Sequence, residues 1–287
     1  MGDRQVILGG LTIVAAQLSI NIGAALAKGL FPLVGPEGVA ALRTAISAAI
    51  LLAVARPWRA ALSTRQAGHL LLYGLAMGGM DLLIYWAIAR IPIGVAVAVE
   101  ISGPLAVVLL TSRSLRDFLW FALAAGSLLL LIPWPGREAR LDPAGLLFAL
   151  GAAACWALYI VFGKRASEVK GSVAVALGML AACLVTLPAG IAAAGAKLLL
   201  APALGIGVAV ALLSSALPYM LEMNAFGKLS SRLIGVVSSC APAVGALTGF
   251  AILGERLSFH QWIAVIAMIT ASAGCSLTSR APLERPT

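Results

Sequence analysis

The chain has 287 residues, of which 61% are hydrophobic and 11% charged, and its mean hydropathy is +1.03. Average soluble domains contain about a quarter charged residues, so this composition excludes a soluble globular protein. The net charge of +9 does not indicate nucleic-acid binding, because the basic residues lie mostly in short segments between apolar runs, an arrangement that orients membrane proteins.

Ten apolar runs follow one another along the chain. Each has about twenty residues, which is long enough to cross about 30 Å of hydrocarbon as a helix. Pro and Gly cluster between the runs, as is typical of turns. In chain order the runs occupy residues 6–28, 38–55, 67–89, 93–112, 117–134, 143–163, 172–193, 203–226, 232–253 and 259–278. We therefore predict an all-α membrane protein with ten transmembrane helices.

The basic residues between the spans predict the orientation of the chain. Thirteen lysines and arginines lie on the side of both termini, whereas five lie in the alternate connections. Connections rich in Lys and Arg stay in the cytoplasm. We therefore expect both termini to be cytoplasmic and the protein to be a multi-pass protein of the bacterial inner membrane.

Weak similarity between the two halves of the chain predicts an internal repeat. The segment Gly23 to Lys28 ends the first span much as Tyr159 to Lys164 ends the sixth, and Ser102 to Val107 is similar to Cys240 to Gly245. Since five spans is an odd number, the second repeat enters the membrane from the opposite face, and inverted repeats are typical of alternating-access transporters. The two predicted repeats are residues 1–136 and 137–287.

Several segments distributed over most of the chain show a family resemblance. They are Gly23 to Arg43, Arg56 to Arg59, Gly94 to Val107, Gly151 to Ile160, Leu213 to Met223 and Leu253 to Trp262. Through these segments the chain resembles the drug/metabolite transporter superfamily with its paired EamA domains, and within it the bacterial threonine and homoserine exporters. The resemblance implies a secondary exporter of small amino acids.

Two positions depart from the pattern of that family. A typical EamA repeat ends its penultimate span with Gly-Glu, which is present at Gly254-Glu255 in the second half, whereas Ser112-Arg113 follows the corresponding span of the first half. Asp81 stands where the family pattern leads us to expect an uncharged polar residue. This departure adds a carboxylate to the predicted membrane interior.

Four ionisable residues are predicted to lie at membrane depth: Arg43, Asp81, Glu100 and Glu222. Each costs at least about 2.5 kcal/mol to insert, so such residues face the protein interior or a wet cavity and are candidates for function. We expect Glu100 to exchange a proton with the two aqueous sides, because Pro104 removes the helical donor of the Glu100 carbonyl. Glu222 has a similar setting, with Pro218 and Tyr219 one turn earlier.

These charges have two interpretations. In the structural interpretation, Arg43 pairs with Asp81 or with Glu100 and holds the helices in position. In the functional interpretation, they bind a zwitterionic amino acid, which needs one anchor for its carboxylate and another for its ammonium group. Arg43 or freed backbone amides are candidates for the first anchor, and Glu100 or Glu222 for the second.

Polar side chains and helix breaks complete the predicted site. Candidates for binding a small hydroxylated side chain are Asn21, Tyr85, Ser102, Ser215, Tyr219 and Ser238. Such side chains also join helices by hydrogen bonds, so both interpretations stay open for each of them. Prolines interrupt three spans, either as inert kinks or as bends that line the cavity: Pro104, Pro218 and Pro242.

Small residues and cysteines indicate packing. The pairs Gly74/Gly78 and Gly245/Gly249 favour close contact between helices over a dimer interface, so the oligomeric state stays open. The four cysteines lie in apolar runs without the spacing of metal ligands, so we expect no metal site.

The sequence also bears on the class of activity. It has no Gly-x-x-x-x-Gly-Lys-Ser/Thr loop for ATP and no His-Glu-x-x-His zinc motif. We therefore expect no enzyme activity and no cofactor, but transport of a small molecule across the bilayer driven by a proton gradient. An alternative is export of another metabolite or a cationic drug, since three buried carboxylates face one arginine. A lipid-modifying membrane enzyme is the third hypothesis, and the sequence offers no nucleophile and base for it.

Overall fold

The computed structural model describes residues 3–60, 62–111, 115–131, 141–166, 169, 171–218, 221 and 241–278. Every regular element in these ranges is helical, which confirms the predicted all-α class. The helices are α1 (Asp3–Ala55), α2 (Thr64–Ile88), α3 (Ile93–Glu100), α4 (Ser102–Thr111), α5 (Leu115–Leu131), α6 (Pro143–Ala166), α7 (Gly171–Ala194), α8 (Ala201–Ala211), α9 (Ala241–Leu253) and α10 (Phe259–Thr278). Two 3-10 turns, Pro57–Arg59 and Gly195–Leu199, and one π-helical turn, Leu212–Ala216, lie between them.

The helix α1 consists of two arms that meet at Gly35. With 53 residues it would be about 80 Å long if straight, more than twice the hydrocarbon thickness. Gly35 has a φ of 70° and a ψ of 167°, a backbone conformation that favours glycine. Ser19 and Arg43, on opposite sides of Gly35, hydrogen bond to the adjacent carbonyls of Leu213 and Ser214. The chain therefore folds back at Gly35.

The observed boundaries of the first two helices differ from the predicted spans. The sequence predicts an end at residue 28 and a new start at residue 38, but helix continues through Pro32 as far as Gly35. It then resumes at once with Pro36. Because proline has a helical φ and its missing N–H is not needed in a first turn, Pro36 is compatible with an immediate restart.

The length and exposure of the helices confirm a membrane protein. Segments long and apolar enough to cross a membrane are Leu11–Ala55, Thr64–Ile88, Pro143–Gly163 and Gly171–Leu199, and the shorter apolar helices are Ile93–Val107, Phe118–Leu130, Ala201–Ala216, Ala241–Leu253 and Phe259–Gly274. Large apolar side chains that are more than half exposed include Leu11, Leu147, Leu184, Phe250 and Ile266. A soluble monomer would not expose so much apolar surface. The number of ten crossings stays a prediction.

Small residues bring the helices into close contact. A Cβ atom added at Gly78 of α2 would lie 2.6 Å from the carbonyl oxygen of Ala182 in α7, and one added at Gly94 of α3 would lie 2.6 Å from the Cα of Ala246 in α9. Without a hydrophobic driving force between membrane helices, such close approach provides the dispersion contacts that hold them together.

The ends of the bundle are defined by contacts between its turns. At one end, Glu255 binds Lys28 and the N–H of Ile93, so the turn after α9 lies against α1 and the turn after α2. Trp86 near the end of α2 donates to Glu37 beside the break in α1, and Arg90 pairs with Asp142 at the start of α6. We call this the Glu255 end. The opposite end, where α2 begins at Thr64, is called the Thr64 end.

The contact at Gly78 generates a prediction about stability. Gly78→Ala should lower the unfolding temperature in detergent, because the new methyl group collides with the α7 backbone and overpacking costs about 1–3 kcal/mol. Gly68→Ala in the same helix is the control, since a Cβ there meets nothing within 4 Å and alanine favours helix. Equal or higher stability of Gly78→Ala would contradict the packing described here.

Candidate functional site

A cavity inside the bundle collects five of the ten polar or charged side chains predicted from the sequence. Its volume is about 390 Å³, within the range of small-molecule sites. The lining residues come mainly from α1, α2, α3 and α6. They include Gln17, Asn21, Arg43, Asp81, Tyr85, Ile93, Val97, Glu100, Trp156, Tyr159, Ser214 and Ala241.

A buried ion pair joins the second arm of α1 to α2. The Arg43 Nη1 atom lies 2.8 Å from Asp81 Oδ1, and the two side chains are only 10% and 2% exposed. The sequence left Asp81 and Glu100 open as the ion-pair partner of Arg43, and in the structure the partner is Asp81. Because a buried charge without a partner is very costly in the membrane interior, each of these two residues requires the other.

Arg43 also contacts the π-helical turn after α8. Its Nε donates a hydrogen bond to Ser215 Oγ at 3.0 Å, and its Nη2 donates one to the Ser214 carbonyl oxygen at 3.2 Å. The guanidinium lies 5.7 Å from the centre of the Tyr85 ring, within the range of a cation–π contact. One side chain therefore connects α1, α2 and the turn Leu212–Ala216.

The π-helical turn supplies carbonyl oxygens because Pro218 follows it. The Leu217 N–H donates to the Leu212 carbonyl, five residues back, and Pro218 has no N–H to give. The carbonyls of Leu213 and Ser214 therefore lack their ordinary helical donors. Ser19 Oγ donates to the first at 2.7 Å and Arg43 to the second. Pro218 thus leaves two backbone carbonyls free to accept hydrogen bonds from Ser19 and Arg43. Such π-helical turns occur frequently at functional sites.

Glu100 lies at the end of α3 and faces the same cavity. It is 9% exposed, and no described residue forms a hydrogen bond or ion pair with its carboxyl group. A turn at Ile101 separates α3 from α4, and Pro104 lies in the first turn of α4. Since Pro104 cannot donate to the Glu100 carbonyl, the backbone is interrupted beside the carboxyl group.

Four further polar atoms of the cavity lining are buried without hydrogen-bond partners among the described residues. They are Asn21 Oδ1, Asp81 Oδ2, Tyr85 Oη and Ser214 Oγ. Asn21 Nδ2 donates to the Gln17 carbonyl at 2.8 Å, and because a carbonyl can only accept, this bond orients the amide of Asn21 with its oxygen away from Gln17. An unsatisfied buried acceptor costs about 1–3 kcal/mol. Asn21 Oδ1 and Asp81 Oδ2 can only accept, so the site favours a ligand that brings N–H or O–H donors to these two atoms.

The structure brings together some of the predicted residues and leaves others apart. Asn21, Arg43, Asp81, Tyr85 and Glu100 all line the cavity. Ser102 is half-buried in α4 outside this lining, and Pro242 is buried beside Ala241, which does line it. The predicted residues that lie outside the described residues are Glu222, Tyr219 and Ser238.

Sequence reasoning missed the aromatic wall of the cavity. Trp156 and Tyr159 of α6 line it, and Tyr159 stacks on Tyr73 of α2 with ring centres 4.7 Å apart. Their hydroxyl groups are 3.1 Å apart. The sequence did contain a signal for this wall: Trp156 and Tyr159 are three residues apart, so they share one face of a helix that is otherwise rich in alanine.

Apolar helices around a cavity that contains buried charges are typical of multi-pass membrane transporters. Comparison with known proteins identifies the family. Residues 143–277 match the model of the EamA-like transporter family. The chain is 46% identical to the threonine/homoserine exporter RhtA of Salmonella typhimurium, covering 94% of this chain and 92% of that protein. It therefore belongs to the EamA-like transporter family and lies in the bacterial inner membrane.

Other relatives agree with this assignment. RhtA of Escherichia coli K12 is also 46% identical, over 93% of this chain and 91% of its own. The uncharacterized inner membrane transporter YedA of the same organism is 29% identical over 69% of this chain and 67% of its own. A solved crystal structure with 19% identity covers 96% of this chain and 99% of its own with a TM-score of 0.59, which shows a shared fold. Since the relatives are transporters, the prediction of a transporter and not an enzyme is confirmed.

The ion pair generates a prediction that separates charge balance from packing. Asp81→Asn should destabilise the protein by about 3–5 kcal/mol, because it leaves Arg43 buried without its counter-charge. The double variant Arg43→Gln/Asp81→Asn should be more stable than Asp81→Asn alone. Thermal unfolding in detergent measures both, and a single variant as stable as the parent would show that the two charges do not depend on each other.

Proposed function

We propose that this protein exports small amino acids, with threonine and homoserine among its substrates, from the cytoplasm in exchange for protons. The proposed substrates are supported by the 46% identity, over nearly the full length of both chains, to exporters named for threonine and homoserine. The cavity fits this cargo, because it is small and lined by both charges that a zwitterion needs.

The proposed architecture is ten transmembrane helices in two inverted repeats, residues 1–136 and 137–287, with both termini cytoplasmic. This places the Glu255 end at the periplasmic side. The polar network supports a site between the halves, since Arg43 and Asp81 belong to the first half and Ser214 and Ser215 to the second. In transporters of inverted repeats, substrates bind near the midplane at the interface of the repeats.

The substrate ammonium group is proposed to bind to the acceptors of the cavity. Asn21 Oδ1, Asp81 Oδ2 and the Glu100 carboxylate together offer the hydrogen bonds that a primary ammonium needs when it leaves water. The substrate carboxylate binds at the guanidinium of Arg43, and a side-chain hydroxyl contacts the rim that includes Tyr85.

Proton coupling is proposed to occur at Glu100, with Glu222 as the second candidate. Glu100 lacks a cationic partner among the described residues, so it can bind either a proton or the substrate ammonium, but not both. Protonation from the periplasm would then release the amino acid, and loss of the proton to the cytoplasm would allow the next to bind. One proton moving inward gains about 2.3 kcal/mol per 100 mV, which supports roughly fifty-fold accumulation.

A transport assay tests the cargo and the proton site together. Inverted vesicles that contain the protein should accumulate radiolabelled threonine when their interior is acidified, and Glu100→Gln should abolish this gradient-driven accumulation while retaining threonine exchange. Asp142→Asn is the control, because Asp142 is exposed at the Glu255 end. Accumulation by Glu100→Gln that still follows the proton gradient would remove Glu100 from the proposal.

The same vesicles decide between cargo classes. Competition by unlabelled homoserine but not by N-acetylthreonine is expected, because acetylation removes the ammonium group. A quaternary ammonium drug that competes better than homoserine would favour the alternative of a cationic substrate. The excess of carboxylates over arginine at membrane depth is compatible with that alternative.

A further inference from the structure

The turn after α9 holds a carboxylate in a specific position at the Glu255 end. Gly254 adopts a φ of 67°, which ends α9, and the backbone then turns back so that the Glu255 N–H donates to the Gly249 carbonyl at 3.1 Å. The Glu255 carboxylate lies over Gly249, where an added Cβ would collide with it. The two glycines therefore create the turn and the space that this side chain occupies.

Both oxygens of the Glu255 carboxylate bind the first half of the chain. Oε1 accepts a hydrogen bond from Lys28 Nζ at 2.6 Å, and Oε2 accepts one from the backbone N–H of Ile93 at 3.0 Å. Ile93 is the first residue of α3, and the residue before it, Pro92, supplies no side-chain cap. Glu255 therefore caps α3 from another helix, with its negative charge at the positive end of the helix dipole.

The capped helix is also a wall of the cavity. Ile93, Val97 and Glu100 all line it, so α3 extends from the Glu255 contact to the proposed proton site in eight residues. A carboxylate that holds the first residue of α3 thus acts on the position of the whole helix. Release of this contact would free the first residue of α3, which both binds Glu255 and lines the cavity.

The other described ion pair between the halves at this end is weaker. Arg90 and Asp142 are 3.6 Å apart and about 40% exposed each, whereas Lys28 and Glu255 are 25% and 13% exposed. Exposed pairs are screened by water and salt and contribute little. Lys28 and Glu255 therefore carry the polar connection across this end, and Arg90–Asp142 provides a matched comparison.

We propose that Glu255 is a positioning residue of the gate that closes the transport cavity at the Glu255 end. In the closed state its carboxylate holds Lys28 of α1 and the N-terminus of α3 against the turn after α9. Opening separates these groups and gives the cavity access to the periplasm. The proposal rests on the proposed transport function, and the Ser112-Arg113 sequence indicates that the corresponding turn of the first half lacks such a carboxylate.

Accessibility of a cavity residue tests the gate without any substrate. The four native cysteines are replaced, Val97→Cys is introduced into the cavity wall, and the rate of labelling by a membrane-impermeant thiosulfonate reagent is measured in right-side-out and in inverted vesicles. Glu255→Gln should label at least tenfold faster than the parent in right-side-out vesicles. Asp142→Asn should label at the rate of the parent, because its ion pair is exposed.

A charge exchange separates the two contacts of Glu255. Lys28→Glu/Glu255→Lys restores an ion pair but places a cation opposite the Ile93 N–H, so labelling should stay fast. A return to the rate of the parent would show that the ion pair alone closes the gate and that the cap on α3 has no part in it. If Glu255→Gln does not fold, Lys28→Gln replaces it, with at least threefold faster labelling expected.

A folded variant that labels at the rate of the parent overturns the gate. Faster labelling only in inverted vesicles overturns the assignment of this end to the periplasm. The readout is also independent of cargo: absence of threonine transport together with faster labelling of Glu255→Gln would refute the proposed substrate and leave the gate standing. Threonine transport together with unchanged labelling of Glu255→Gln would refute the gate and support the proposed substrate.

Discussion

The central structure depends on one buried arginine. Arg43 cannot be inserted among apolar helices without a counter-charge and hydrogen-bond acceptors, and it obtains Asp81 from α2 and the carbonyl of Ser214 from the turn after α8. That carbonyl is available because Pro218 cannot donate to it. A proline in one half of the chain and an ion pair in the other are therefore parts of the same arrangement, and the cavity lies where they meet.

The two ends of α3 connect the contacts at the Glu255 end to the central cavity. Glu255 holds its first residue, and Glu100 ends it inside the cavity. Close packing of α3 on α9 at Gly94 and Ala246 leaves little space between these helices, so a movement at one end of α3 is transmitted along a rigid element. A short helix with one end at the proposed gate and the other at the proposed proton site provides a physical route for coupling in alternating access.

The sequence predicted the class of fold, the apolar segments and most of the buried charges, because each charge at membrane depth is conspicuous against an apolar background. It could not choose between Asp81 and Glu100 as the partner of Arg43, since that choice depends on how α1 and α2 rotate against each other. It also missed Ser214, whose backbone contributes rather than its side chain. The role of Glu255 was hidden because Lys28 and Ile93 are far from it in the chain.

The most direct test of the central claim is calorimetric binding of threonine to the purified protein in two buffers with different ionisation enthalpies. Such a pair of measurements gives the number of protons released for each threonine bound. If Glu100 exchanges its proton for the substrate ammonium, the parent should release protons below neutral pH, and Glu100→Gln should bind threonine without releasing any. Binding by the parent with no proton release at any pH would contradict the account.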